Sequence, residues 1–80
     1  MPTLRLFAQA RIAAGIGHDQ VDGTTVGDVL DAATERYGPP FAAVLEIANI
    51  WVNGEQADRS TPVTDADEVA VLPPVSGGTH

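Results

Sequence analysis

The segment Pro73-Pro74-Val75-Ser76-Gly77-Gly78 is the stretch of the chain whose residue types point to chemistry done by the backbone itself. Two prolines hold the exit extended, and two glycines then leave no side-chain atoms at all. At ~3.3 Å per residue this string reaches far enough to enter a tunnel in a partner protein that any β-carbon would block. A backbone carboxylate at its tip can be adenylated and then attacked by a nucleophile. Glycine pairs also occur in frayed chain ends, which is the bland explanation. The string follows directly on a predicted strand, in a chain with little other chemical equipment, and that context favours the chemical explanation.

The remaining inventory excludes much. No cysteine is present, so disulfides, thiolate metal sites and a cysteine nucleophile are ruled out, and any sulfur chemistry must use sulfur from outside. Lysine is also absent, which removes Schiff-base chemistry and any side-chain amine on which the protein could build chains of itself. His18 and His80 are too isolated for a metal site, and Asp65, Asp67 and Glu68 lack the ligand spacing of a calcium loop. No metal or cofactor is expected on this chain. Eleven acidic residues against four arginines give a net charge of −7, which repels nucleic acid and anionic lipid but speeds encounter with a basic protein surface. Protein partners are therefore expected, with no nucleic acid and no membrane. No apolar run approaches the ~18 residues of a membrane span, and Met1-Pro2-Thr3 opens with nothing like a signal peptide, so a cytoplasmic location is expected.

The elements that must position this tail follow from pattern. Eighty residues make one domain with a small core. Thr3 to Phe7 alternate, with Leu4 and Leu6 on one face and Arg5 and Phe7 on the other, the period of a half-buried strand. Gln9 to Gly17 reads as a broad turn, and His18 to Asp22 as a short returning strand. Thr25 is a good N-cap, with Asp28 as the return member of a capping box. Val26, Val29, Leu30, Ala33 and Tyr37 then follow the spacing of one helix face. Gly38, Pro39 and Pro40 stop that helix, and Phe41 to Glu46 form a short helical cap over the open end of the core. Ile50-Trp51-Val52, the turn Asn53-Gly54 and Gln56 to Asp58 make a second hairpin. Val69 to Leu72 form the last strand, placed beside the first and parallel to it.

The result is an α+β fold of the β-grasp type, one mixed sheet wrapped over one main helix, with a globular body spanning 1–72 and a flexible tail spanning 73–80. Trp51 is expected to pack more inside than out. Phe7, on the face opposite Leu4 and Leu6, could join Leu72 or Val75 in an exposed apolar patch beside the tail, where such patches mark interfaces. Arg11 could pair with a partner carboxylate or with an acid of its own domain.

Phe7-Ala8-Gln9-Ala10-Arg11 with Gly15, then Val52-Asn53-Gly54, then Asp67-Glu68-Val69-Ala70-Val71-Leu72-Pro73-Pro74-Val75-Ser76-Gly77-Gly78, resemble the ubiquitin-like sulfur carriers, and among them the small subunit of molybdopterin synthase. The likeness spans nearly the whole chain. Thiamine-pathway carriers share the fold and the glycine pair, but the opening motif and the Pro-Pro-Val string resemble the molybdopterin branch more. The resemblance implies a cycle. An E1-like adenylyltransferase uses ATP and magnesium to adenylate the Gly78 carboxylate, and a sulfurtransferase supplies the sulfur of a thiocarboxylate. The tail, Pro73 to Gly77, then enters the large subunit of molybdopterin synthase and delivers sulfur to cyclic pyranopterin monophosphate. Phe7, Arg11 and Leu72 would contact the partner, and the catalytic groups would belong to the partners. Carriers for thiamine, cysteine or thiolated tRNA, and a pure interaction module, are the alternatives.

Two departures stand out. Thr79 and His80 follow Gly78, which leaves the Gly78 carbonyl in a peptide bond. Either a protease, of the metalloprotease type that processes some related carriers, removes them, or they are foreign to the natural protein, or the chain is no longer a carrier. Ala66 stands where the family commonly has glycine, and alanine resists positive φ by roughly 1 kcal/mol or more.

Overall fold

The computed structural model describes residues 1–74, in the order β1 (Thr3–Leu6), α1 (Ala8–Ala14), β2 (His18–Gln20), α2 (Val26–Tyr37), α3 (Pro39–Leu45), β3 (Asn49–Val52), β4 (Glu55–Ala57) and β5 (Glu68–Leu72). The strands form one mixed sheet in the order β2-β1-β5-β3-β4. β1 and β5 run parallel at its centre in the register Leu4↔Val69 and Leu6↔Val71, as the sequence predicts. The other neighbours are antiparallel. Alternation puts Leu4, Leu6, Val69 and Val71 on the inner face, where all four are buried with Val26, Val29, Leu30 and Ala33 of α2. This is the α+β, β-grasp architecture.

Local chemistry explains the main helix. The Thr25 side chain accepts from the Asp28 N–H at 3.1 Å, the expected N-cap. The return half of the cap differs by one residue: Asp28 Oδ2 accepts from Thr24 N–H and hydroxyl, not from Thr25. Asn53 and Gly54 both have positive φ and join β3 to β4, as the turn type requires.

Four expectations are corrected. Gln9 to Gly17 is not a broad turn: Ala8 to Ala14 form helix α1, with Ala10 buried in the core and Ala13 and Ala14 packed against it. The short helix expected over 41–46 is present as α3 but begins two residues earlier, at Pro39, where a missing N–H costs nothing, and fully buried Phe41 plugs the core. Trp51 is only half-buried, because it pairs with Ala70 on the sheet face opposite the core. Ala66 is not among the positive-φ residues, so its turn, held by Ala66 N–H on Thr64 Oγ1, escapes the expected strain.

Candidate functional site

β5 has a hydrogen-bonded neighbour on each side, and it carries the root of the tail. Leu72 lies half-buried on the outer sheet face opposite Asn49, Pro73 is buried, and Pro74 is exposed, so the chain leaves the fold between the two prolines. The predicted tail residues Val75, Ser76, Gly77 and Gly78, with Thr79 and His80, lie outside the described residues.

Beside this root the chain turns from β1 into α1. The Phe7 N–H donates to the Val71 carbonyl at 3.2 Å, which places Phe7 level with Leu72. Ala8 follows at φ 51, a left-handed conformation that costs an L-residue about 1 kcal/mol or more. It turns the chain into the helix within one residue and leaves Phe7, the N-cap position, 43% exposed. Backbone cost of this kind is typical of positions that serve recognition.

Phe7 and Ala8 line a shallow cavity of about 460 Å³ together with Arg5, Leu6, Arg11, Ile16, Gly17 and His18. Phe7 and Arg11, two of the three predicted interface residues, therefore meet. Leu72 does not line this cavity and instead shares the outer sheet face with Arg5, Ala70 and Trp51. Arg5 pairs with Glu68 at 2.7 Å, Arg36 with Asp19 at 2.6 Å and Arg59 with Asp31. Arg11 is the arginine that makes no ion pair among the described residues. Sequence reasoning missed Ile16, Gly17 and Ala8. The run Ala-Gln-Ala-Arg-Ile-Ala-Ala is rich in helix formers, and read as a helix it would have put Arg11 one turn after Phe7.

A second hollow, about 370 Å³, lies between Val52, Asn53, Glu55, Gln56, Ala57, Thr61, Pro62 and Asp67, where β5 begins rather than ends. Asp67 accepts there from Asn53 Nδ2 and Thr64 N–H, and these hydrogen bonds, the Asn53 one first, hold its carboxyl below the usual carboxylate range. Asp67 fastens the turn into β5, a structural task. Among the described residues no group of three His, Asp or Glu side chains could hold a metal ion, and no helix is long and apolar enough to cross a membrane. The cavity at the root of the tail thus brings together a planar cation, an aromatic ring and an aliphatic side chain.

Three comparisons bear on this geometry. The family model described as the ThiS family matches residues 4–78. Small archaeal modifier protein 1 of Haloferax volcanii is 34% identical, over 92% of this chain and 97% of its own length, and its crystal structure superposes with a TM-score of 0.79. The solution structure of the protein of that name from Methanosarcina acetivorans is 33% identical with a TM-score of 0.85, covering 95% of this chain and 94% of its own. A Pyrococcus furiosus protein assigned as molybdopterin converting factor subunit 1 is 25% identical with a TM-score of 0.75, covering 91% of this chain and 95% of that one.

Proposed function

Because the chain belongs to the ThiS family of ubiquitin-like sulfur carriers and modifiers, we propose that it is a sulfur carrier whose Gly78 carboxylate, once freed of Thr79 and His80, bears sulfur as a thiocarboxylate. The carboxylate oxygen attacks the α-phosphorus of ATP on an E1-like adenylyltransferase, which supplies the magnesium, and pyrophosphate leaves. A persulfide sulfur of a sulfurtransferase then attacks the acyl carbon and AMP departs, leaving an acyl disulfide; a second thiol of the transferase attacks its S–S bond, becomes one half of a disulfide and releases the thiocarboxylate, so a hard exchange is split into easier displacements. The chain contributes the acyl group and its delivery. The receiving partner on this reading is the large subunit of molybdopterin synthase.

The observation that carries the proposal is that the family match runs through both glycines, on a chain whose tail springs from β5 at the centre of the sheet. The Pro-Pro-Val string and the likeness to the Pyrococcus furiosus protein support the molybdopterin branch. Incubation of the chain ending at Gly78 with its adenylyltransferase, ATP and a sulfur donor should replace one oxygen by sulfur, read by intact-protein mass spectrometry; an unchanged mass refutes the carrier role. Gly78→Ala should abolish sulfur transfer to the pterin and leave the melting temperature unchanged, because the residue lies beyond the packed strand.

The likeness to the small archaeal modifier proteins favours a second use of the same acyl adenylate, amide formation with an amine of another protein. Conjugates retaining this chain's Gly77-Gly78 on partner lysines in native extracts would establish it.

A further inference from the structure

The edge strand β4 leaves the backbone of one residue without a partner. Asn53 N–H donates to the Glu68 carbonyl at 3.0 Å, so the pair two residues further along, Trp51↔Ala70, is also a bonded one and the Trp51 backbone faces β5. Gln56 stands opposite Trp51 across the hairpin and therefore gets no bond from it; its N–H and C=O both point away from the sheet. Among the described residues no loop backbone takes up either group. An unpaired edge of this kind is a template for one more strand. With only three residues, Glu55 to Ala57, it is a short template, which suits a particular guest.

The hollow of about 370 Å³ beside this edge specifies the side chain such a guest would carry. Val52 and Ala57 pack against the core, so they lie on the inner face of the sheet, and Glu55, paired with Val52, lies on that face too. When an extended segment bonds to Gln56 in antiparallel register, its next residue stands opposite Glu55 and points toward the same face. Glu55 is exposed and makes no ion pair among the described residues. Asp67 lines the same hollow, but its oxygens accept from Asn53 and Thr64, so it adds negative charge rather than a free acceptor. No arginine or histidine lines the hollow, and Val52, Ala57 and Pro62 give it apolar walls. The matching side chain is an arginine, its aliphatic stem on those walls and its planar guanidinium on the Glu55 carboxylate through two parallel N–H···O bonds.

We propose that the free edge of β4 is a docking site for an extended, basic segment of a partner protein, which pairs with the Gln56 backbone and seats an arginine on Glu55 in the hollow. A second copy of this chain is a poor guest, because β4 laid on β4 about Gln56 brings two Glu55 carboxylates to the join and no cation. Asp67 precedes β5 and Leu72 ends it, so the hollow and the root of the tail stand at opposite ends of that strand, roughly 16 Å apart at ~3.3 Å per residue. A protein held at β4 leaves the exit of the tail uncovered. One partner can thus retain this chain while another takes its end, and the docking itself does not depend on the carrier reading.

The test is a titration of the full chain, followed by amide resonances, with N-acetyl-Thr-Val-Arg-Val-Thr-amide, its citrulline counterpart, and a form N-methylated on the valine before the arginine. The arginine peptide should give saturable shifts at residues 52–57, 61, 62 and 67 and slow the hydrogen exchange of the Gln56 amide. It should bind about threefold more tightly than the citrulline form, the size of a partly exposed cross-strand ion pair. The N-methylated peptide, which cannot donate to the Gln56 carbonyl, should lose saturable binding. Glu55→Gln should erase the preference for arginine over citrulline and leave the melting temperature unchanged, since the Glu55 side chain is exposed and holds no arginine of its own. Equal binding of the arginine and citrulline peptides, full binding of the N-methylated one, shifts centred on the opposite edge at His18–Gln20, or no saturable response would overturn the proposal. So would shifts at β4 that grow with protein concentration in the absence of peptide, which would give the edge to a second copy. No sulfur chemistry enters the titration, so its failure is separate from a failure to form the thiocarboxylate.

Discussion

Tyr37 shows how single residues tie this small sheet to its helix. Its hydroxyl donates to Asp19 Oδ2 at 2.6 Å, Arg36 reaches the same oxygen, and the ring packs edge-on against Phe41 with centroids 5.2 Å apart. Burial, and then the hydrogen bond to Asp19, push the Tyr37 hydroxyl up to about 12, while the Tyr37 and then the Arg36 hydrogen bonds hold Asp19 below the usual carboxylate range. The signs follow from linkage. A raised tyrosine value contributes stability that is complete below the unfolded value near 10 and is lost as pH climbs toward 12. A lowered aspartate contributes stability present above about 4 and lost as pH falls. Tyr37→Phe should cost about 1 kcal/mol at neutral pH and flatten the fall in stability between pH 10 and 12, read by urea denaturation at a series of pH values. The Thr25 cap was legible because its chemistry is local. The Ala8 twist and the space at Gly17 were not, since the one answers to the packing of β1 against α1 and the other to a side chain six residues away.

Among the elements, the first short helix, α1, did not follow its local signals. Gly15 and Gly17 made the stretch after β1 look like turn, but the alanines ahead of them are strong helix formers, and burial of Ala10 with partial burial of Ala13 and Ala14 gives that helix a packed face. Pro39 and Pro40 end α2 and also form the first turn of α3, the double role that the sequence predicts. The consequence is that α3 closes the core through one large side chain. Phe41→Ala should therefore cost about 3–5 kcal/mol, a large share of the stability of a domain this size, and expose the Tyr37 ring. Urea denaturation followed by Tyr37 and Trp51 fluorescence would measure it. The strands and α2 were readable because apolar residues recur at periods of two and of three to four, which a buried face enforces. The β3–β4 pairing was readable from Asn53-Gly54, while the parallel pairing of the first and last strands was inferred from the handedness of crossovers.

For the whole molecule, topology matters more than any contact: the chain opens in β1, closes its fold in β5, and lays the two side by side in the same direction at the centre of the sheet. The arrangement was readable in outline, but the burial of Pro73 and the clustering of Arg5, Arg11 and His18 in an acidic protein depend on which loops the fold brings together. It also has a mechanical consequence. A pull applied between Met1 and Pro74 drags two parallel strands past each other, so every rung of their ladder is loaded at once. A pull between Thr3 and Gln20, which face each other across β1 and β2, opens rungs one after another. Single-molecule stretching should record a higher rupture force along the first axis than along the second. A protein tugged by its tail while that tail is gripped in another protein's tunnel would thus resist along its strongest direction.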